Sequence, residues 1–170
     1  MIGRVLVVCV GNICRSPMAQ ALLAQRLEAV AVESAGIGAL HGEGADPLAV
    51  QLMRERGLDL DAHRARQLTA LIAAAADLVL VMDHAQKHYV ERRFPALYGR
   101  VYLLGSSHGA GGPPDARFEI PDPHRKGLAS FEQSLALIDA GVDAWCARIA
   151  GVTARAGAGT AALSTDHSSS

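Results

Sequence analysis

The stretch that most constrains this chain is Val5-Leu-Val-Val-Cys-Val-Gly-Asn-Ile-Cys-Arg-Ser-Pro-Met18. It begins as a short β-branched run, which reads as a buried strand over Arg4–Val8. Cys9 stands where the run ends, Gly11 permits a tight turn, and Arg15 and Ser16 precede Pro17, which opens a helical pattern. A strand, a tight loop and a helix N-terminus in that order form an anion site, because inward N–H groups and the positive end of the helix dipole converge there. A thiol at the start of that loop and a guanidinium at its end set a nucleophile against a phosphate. Alone, Cys9 would read as a small buried hydrophobe. With Gly11, Arg15, Ser16 and Pro17 at these offsets, the reading turns to chemistry.

The downstream pattern gives that loop a setting. Ala19, Leu23 and Leu27 recur at four-residue spacing, so the first helix is expected from Pro17 to about Ala29, with Arg26 as a blemish on its apolar arc. Val30–Ser34 reads as a second strand, and Ala35–Ala45, with four glycines, as an irregular loop. Asp46-Pro47 has the form of an N-cap and N1 proline for a helix over Leu48–Arg56, stopped at Gly57. Leu58–Leu68 is mixed, and Thr69–Ala76 is a short helix candidate. Leu78–Met82 reads as a third strand, Asp83 as the cap of a helix to about Arg93, and Val101–Leu104 as a fourth strand. Gly105–Asp115 reads as a surface loop and Ile120-Pro-Asp-Pro-His124 as a loop stiffened by two prolines. Phe131, Leu135, Ile138, Val142, Trp145 and Ile149 form one apolar stripe on a helix over Leu128–Ile149. Residues 1–150 are thus expected to form one domain, and 151–170 a disordered tail.

Alternating strands and helices predict an α/β fold, a four-stranded parallel sheet with helices on both faces. Ligands of such sheets sit beyond the C-terminal strand ends, where strand order reverses. Cys9 lies at such an end.

The formal net charge of −1 gives no electrostatic case for nucleic acid or an anionic membrane. No apolar run approaches the roughly 18–20 residues of a membrane span. With no signal-peptide pattern either, a cytoplasmic location is expected. The three cysteines, Cys9, Cys14 and Cys146, do not suggest a disulfide scaffold. No further Cys or His cluster completes a zinc set around Cys9 and Cys14, so neither metal nor cofactor is expected.

Cys-x5-Arg-Ser after a strand assigns its parts. The loop over Val10, Gly11, Asn12, Ile13, Cys14, Arg15 and Ser16 would bind the non-bridging oxygens, and the same donors would stabilise a Cys9 thiolate. Arg15 adds a planar bidentate fork that lysine lacks. Ser16 can donate to the sulfur when it becomes a leaving group.

Cys9-Val-Gly-Asn-Ile-Cys-Arg-Ser-Pro17 resembles the signature loop of the low-molecular-weight protein tyrosine phosphatases, and Asp122-Pro123 resembles that family's distant acid loop. The likeness spans Arg4–Ile149. It implies metal-free hydrolysis of phosphotyrosine through a phosphocysteine on Cys9, with Arg15 and Asp122 catalytic and Asp122 as general acid and then base. In isolation, Asp before Pro is more often a turn residue or helix cap. The resemblance further implies that Asn12 takes a left-handed conformation supported by Ser34 and His63, and that Cys14 can pair reversibly with Cys9. His124 stands where the family commonly carries an aromatic at the cleft mouth, with Leu40 as the facing wall. Ser34–Leu40 and Ile120–Lys126 resemble the bacterial branch that accompanies tyrosine autokinases in polysaccharide export, which implies an autokinase as the phosphotyrosine partner. Two alternatives share the fold. An arsenate reductase needs two further relay cysteines, and a phosphocysteine carrier has no use for Arg15 or Asp122.

Overall fold

A computed structural model of the chain describes residues 1–106 and 117–161. Strands β1 (Arg4–Cys9), β2 (Ala31–Gly36), β3 (Leu78–Val81) and β4 (Val101–Leu103) form one sheet in the order β2-β1-β3-β4. All three pairings are parallel, with Val8 beside Ala35 on one side and Val81 on the other. The chain leaves β1 toward β2, then crosses back to β3. Strand order therefore reverses at the C-terminal end of β1, beside Cys9, where α/β sheets bind ligands.

The strands are short apolar runs because both faces are covered. Val5, Val7 and Cys9 face one core with Leu80, Met82 and the helices α1 (Arg15–Arg26), α2 (Pro47–Arg54) and α5 (Leu128–Ala161). Leu6 and Val8 face the other core with Val79 and Val81, against α3 (Ala70–Ala74) and α4 (His84–Arg93). The six-residue stripe of α5 is buried throughout, from Phe131 to Ile149. Trp145 Nε1 donates to the Leu103 carbonyl at 3.1 Å, tying α5 to the end of β4. Arg26 turns out of the core and pairs with Asp143 of α5, which accounts for its place on an apolar arc.

Several boundaries differ from the sequence reading. The first helix starts at Arg15 and ends at Arg26. It starts early because a helix leaves the N–H groups of its first turn unpaired, so Pro17 fits two residues inside it. It stops before Ala29 because Val30 N–H closes a turn onto Leu27 and Ala31 must pair with Arg4. β2 runs on through Ala35 and Gly36, so the expected glycine loop gives its first two residues to the sheet. The tail differs most. Residues 151–161, expected to be disordered, continue α5 to Ala161. Burial alone does not decide such a segment, because alanines at 154, 156, 158 and 161 carry the best intrinsic helix propensity. The remainder of that tail, 162–170, and the expected loop from 107 to 115 lie outside the described residues. Among the described residues no helix is long and apolar enough to cross a membrane.

Candidate active site

The loop after β1 is shaped by where its carbonyls go. Ile37 N–H donates to the Cys9 carbonyl at 3.0 Å, Gly38 N–H to Val10 at 3.0 Å, Leu40 N–H to Gly11 at 3.1 Å and Asp46 N–H to Ile13 at 2.8 Å. His63 Nε2 lies 2.6 Å from the Asn12 carbonyl, which can only accept, so Nε2 carries the proton. Five consecutive carbonyls, from Cys9 to Ile13, are thus held by donors outside the loop. A trans peptide unit points its N–H opposite to its C=O. The N–H groups from Val10 to Cys14 therefore turn to the loop interior, toward the start of α1. There Cys14 is the N-cap and makes no side-chain capping bond, whereas α2, α3 and α4 are each capped by their own Asp46, Thr69 or Asp83. The first turn of α1 is left to an anion.

Gly36 makes this geometry possible. A Cβ there would stand 2.3 Å from the Val10 carbonyl oxygen and 3.1 Å from the Asn12 Cβ and N. Gly36→Ala is expected to displace the loop and to destabilise the fold by about 1–3 kcal/mol, the usual cost of overpacking. Urea denaturation, with turnover measured in parallel, checks this, and an unchanged midpoint would contradict it.

Asn12 is the buried hinge of the loop. Its φ is 58°, a left-handed conformation that asparagine tolerates better than most residues. Its Oδ1 accepts from Arg66 N–H at 3.0 Å, which fixes the amide orientation. Its Nδ2 then donates to Ser16 Oγ at 2.8 Å and to Ser34 Oγ at 2.9 Å. Ser34 Oγ in turn donates to Gln20 Oε1 at 2.6 Å. Ser16 Oγ lies 2.9 Å from Cys9 Sγ. Ser16 already accepts from Asn12, so its single hydroxyl proton is free for the sulfur. The network thus orients a donor at Cys9, which is what a thiolate requires. Ser34 and His63 both reach Asn12, as the resemblance implied.

Arg15 joins this loop to the Asp122 loop. The residue is 3% exposed. Nη1 donates to the Ile120 carbonyl at 2.8 Å, while Asp83 lies 3.8 Å and Asp122 3.9 Å from its nitrogens. Two carboxylates balance one buried cation, as burial of charge demands. The Asp122 loop is held from other sides as well. Ile120 N–H donates to the Met82 carbonyl at 2.9 Å, and Ser134 Oγ of α5 to the Pro121 carbonyl at 2.8 Å. Asp122 itself is half exposed. Its Oδ1 accepts from His124 N–H at 3.1 Å, closing a turn at the loop tip.

The two loops enclose a cleft of about 210 Å³ lined by Cys9, Val10, Gly11, Ile13, Cys14, Arg15, Gly38, Leu40, Asp122 and His124. Leu40 and His124 both contribute to its walls. Cys9 and Cys14 are both buried free thiols, and Cys146 on α5 is a half-buried one. Burial, reinforced by the nearby Asp46 carboxylate, pushes the Cys14 thiol far above the usual thiol range, so it stays protonated. His124 Nδ1 lies 3.9 Å from Cys14 Sγ and 3.9 Å from Asp46 Oδ2.

Sequence reasoning missed several supporting residues. Asp46 and Asp83 read as helix caps, which they are, but each has a second task, holding Ile13 and facing Arg15. Gln20, Arg66 and Ser134 carry no local signal at all, since each acts on a segment at least 13 residues away.

The model of the family described as "Low molecular weight phosphotyrosine protein phosphatase" matches residues 4–154. The probable low molecular weight protein-tyrosine-phosphatase EpsP of Ralstonia nicotianae is 54% identical over 149 residues, 88% of this chain and 97% of that protein. The crystal structure of the tyrosine phosphatase Wzb from Escherichia coli K30 in complex with sulphate is 34% identical and covers 88% of this chain and 99% of its own, with a TM-score of 0.78. Vibrio vulnificus Wzb in complex with benzylphosphonate, also 34% identical, covers 87% and 99%, with a TM-score of 0.79. A loop of inward amides behind a buried thiol, matched over residues 4–154 and at these identities, leaves one assignment: the chain belongs to the low molecular weight phosphotyrosine protein phosphatase family.

Proposed function

We propose that this chain is a protein tyrosine phosphatase that hydrolyses phosphotyrosine monoesters on Cys9. The observation that carries this reading is that Cys9, Arg15 and Asp122 line one cleft, beside a loop whose amides turn inward. In the first step Cys9 sulfur attacks phosphorus in line. The S–P bond forms, the bond to the phenolic oxygen breaks, and Asp122 gives its proton to that oxygen. In the second step water attacks phosphorus and loses a proton to Asp122. The S–P bond breaks and its electron pair returns to sulfur, where Ser16 donates a hydrogen bond. Arg15 and the loop amides hold the equatorial oxygens through both steps.

The EpsP and Wzb relatives are named protein-tyrosine-phosphatases, which supports the substrate class, as does the benzylphosphonate carried by the Vibrio protein. The physiological substrate in this reading is a bacterial tyrosine autokinase of polysaccharide export, which rests on the resemblance of the Ser34–Leu40 and Ile120–Lys126 stretches. Free Cys9, Cys14 and Cys146 suit a reducing cytoplasm, and a reversible Cys9–Cys14 pairing would protect the nucleophile there. An arsenate reductase would need two relay thiols beside Cys9, and the cleft offers one, Cys14.

The test is hydrolysis of matched phosphotyrosine and phosphoserine peptides in the presence of chelator. Turnover of the phosphotyrosine peptide, with a phosphocysteine trapped by rapid acid quench, is expected. Chelator-sensitive turnover, or equal rates on both peptides, would reject the reading.

A further inference from the structure

At the rim of the cleft, Cys14, Asp46 and His124 bring together a thiol sulfur, a carboxylate oxygen and a ring nitrogen that all lie within 4.8 Å of one another. We propose that these three residues form an inhibitory zinc site. His124 Nδ1 stands 3.9 Å from each of the other two ligand atoms. Tetrahedral zinc, with bonds of about 2.0–2.3 Å, sets its ligand atoms about 3.3–3.6 Å apart. Contraction by a few tenths of an ångström brings His124 to bonding range with both partners, and Cys14 and Asp46, which start within 4.8 Å of each other, must close by up to about 1.3 Å.

The atoms are free to bind. Asp46 uses Oδ1 to cap α2 through Leu48 N–H, which leaves Oδ2 facing His124. Cys14 makes no capping bond. Each comes from a different, well-anchored segment: Cys14 from the loop before α1, Asp46 from the start of α2, and His124 from the Asp122 turn. A thiolate, a carboxylate and a neutral imidazole carry two negative charges, which match a divalent ion. The thiolate and imidazole select zinc over magnesium or calcium, which want oxygen. On binding, the Cys14 thiol proton leaves to solvent as the S–Zn bond forms. The fourth coordination position is left to water on the cleft side, since Cys14 and His124 both line that cleft.

The consequence is steric. His124 follows Asp122 by two residues and shares its turn. Zinc would clamp that turn to the phosphate loop and place a hydrated ion in the mouth through which a substrate enters. The inhibition, though not the binding, rests on the phosphatase reading above.

Cobalt titration of the chelator-treated full chain tests the site directly, because thiolate-bound cobalt absorbs strongly in the near ultraviolet. One equivalent is expected to develop that band, and zinc to abolish it. The band should persist in Cys9→Ser and disappear in Cys14→Ser. Asp46→Asn keeps the helix cap, since asparagine caps as well as aspartate, and should loosen cobalt at least about 10-fold. His124→Tyr, at a partly exposed turn, should loosen it similarly and keeps the test open if Cys14→Ser does not fold. A band lost in Cys9→Ser but kept in Cys14→Ser would put the metal on the nucleophile and overturn the proposal. So would a band indifferent to both Asp46→Asn and His124→Tyr. For inhibition, the zinc concentration that halves each variant's own metal-free rate should rise with the cobalt dissociation constant. A chain that binds cobalt as described but hydrolyses nothing would refute the phosphatase reading and leave the site standing.

Discussion

Cys9→Ser is expected to lower turnover of an aryl phosphate by about 10⁴-fold or more, the scale on which removal of an enzymatic nucleophile is felt. The hydroxyl replaces a sulfur that ionises readily with an oxygen that does not. The loop supplies donors only: inward amides, the α1 N-terminus, Arg15 and the Ser16 hydroxyl at 2.9 Å from sulfur. Donors stabilise an anion already formed, and none of them can take a proton from serine. The same donors still face a bound phosphate, so affinity for orthophosphate should survive within a few-fold. Stopped-flow or steady-state assays at saturating substrate, beside calorimetric titration with phosphate, measure both quantities. A residual rate within 100-fold of wild type would end the case for Cys9 as nucleophile. The retained affinity also makes Cys9→Ser the variant with which to capture the natural phosphoprotein.

The second large effect belongs to Asp122 and depends on the substrate. Asp122→Ala should cost about 10²–10³-fold in kcat for an aryl phosphate with a poor leaving group, the range expected for a lost general acid. With a strongly acidic phenol as leaving group, the loss should shrink toward unity, because that oxygen departs without a proton. Structure should change little. Arg15 keeps Asp83 and the Ile120 carbonyl, and the loop keeps its ties to Met82 and Ser134. The side chain is half exposed, so the stability change should stay within about 0.5 kcal/mol. Equal losses on both leaving groups would show that Asp122 acts through Arg15 or the loop rather than by proton transfer.

Local sequence carried much of this protein because much of it is locally determined. The Arg4–Ser16 stretch announces strand, loop and helix N-terminus through residue types whose backbone preferences are strong, and the α5 stripe shows a period that only one helix face explains. The segment 151–161 continues α5 through the helix propensity of its alanines, which its low apolar content conceals. The tighter limit is distance along the chain. Asp46 and Asp83 look complete as helix caps, so nothing local suggests a second partner. The carbonyl ties that turn the loop amides inward come from residues 37, 38, 40, 46 and 63, and only the folded sheet brings those donors to the loop. The zinc ligands follow the same rule. Cys14, Asp46 and His124 are too far apart in sequence to form any spacing motif, so no cysteine spacing signals the set.

The carbonyl ties around the Cys9 loop have a thermodynamic corollary. The donors arrive from the loop that follows β2, the start of α2 and the strap that carries His63, so the anion site exists only while all three are docked. Any opening that releases one of them lets a loop carbonyl swing inward and spoils the anion cradle. Phosphate affinity is thereby coupled to the cooperative fold, not to the loop alone. By mass action, oxyanions at 100 times their dissociation constant should stabilise the native state by about 2.7 kcal/mol. They should slow amide hydrogen exchange in β2 and in the His63 strap as well as at the cleft.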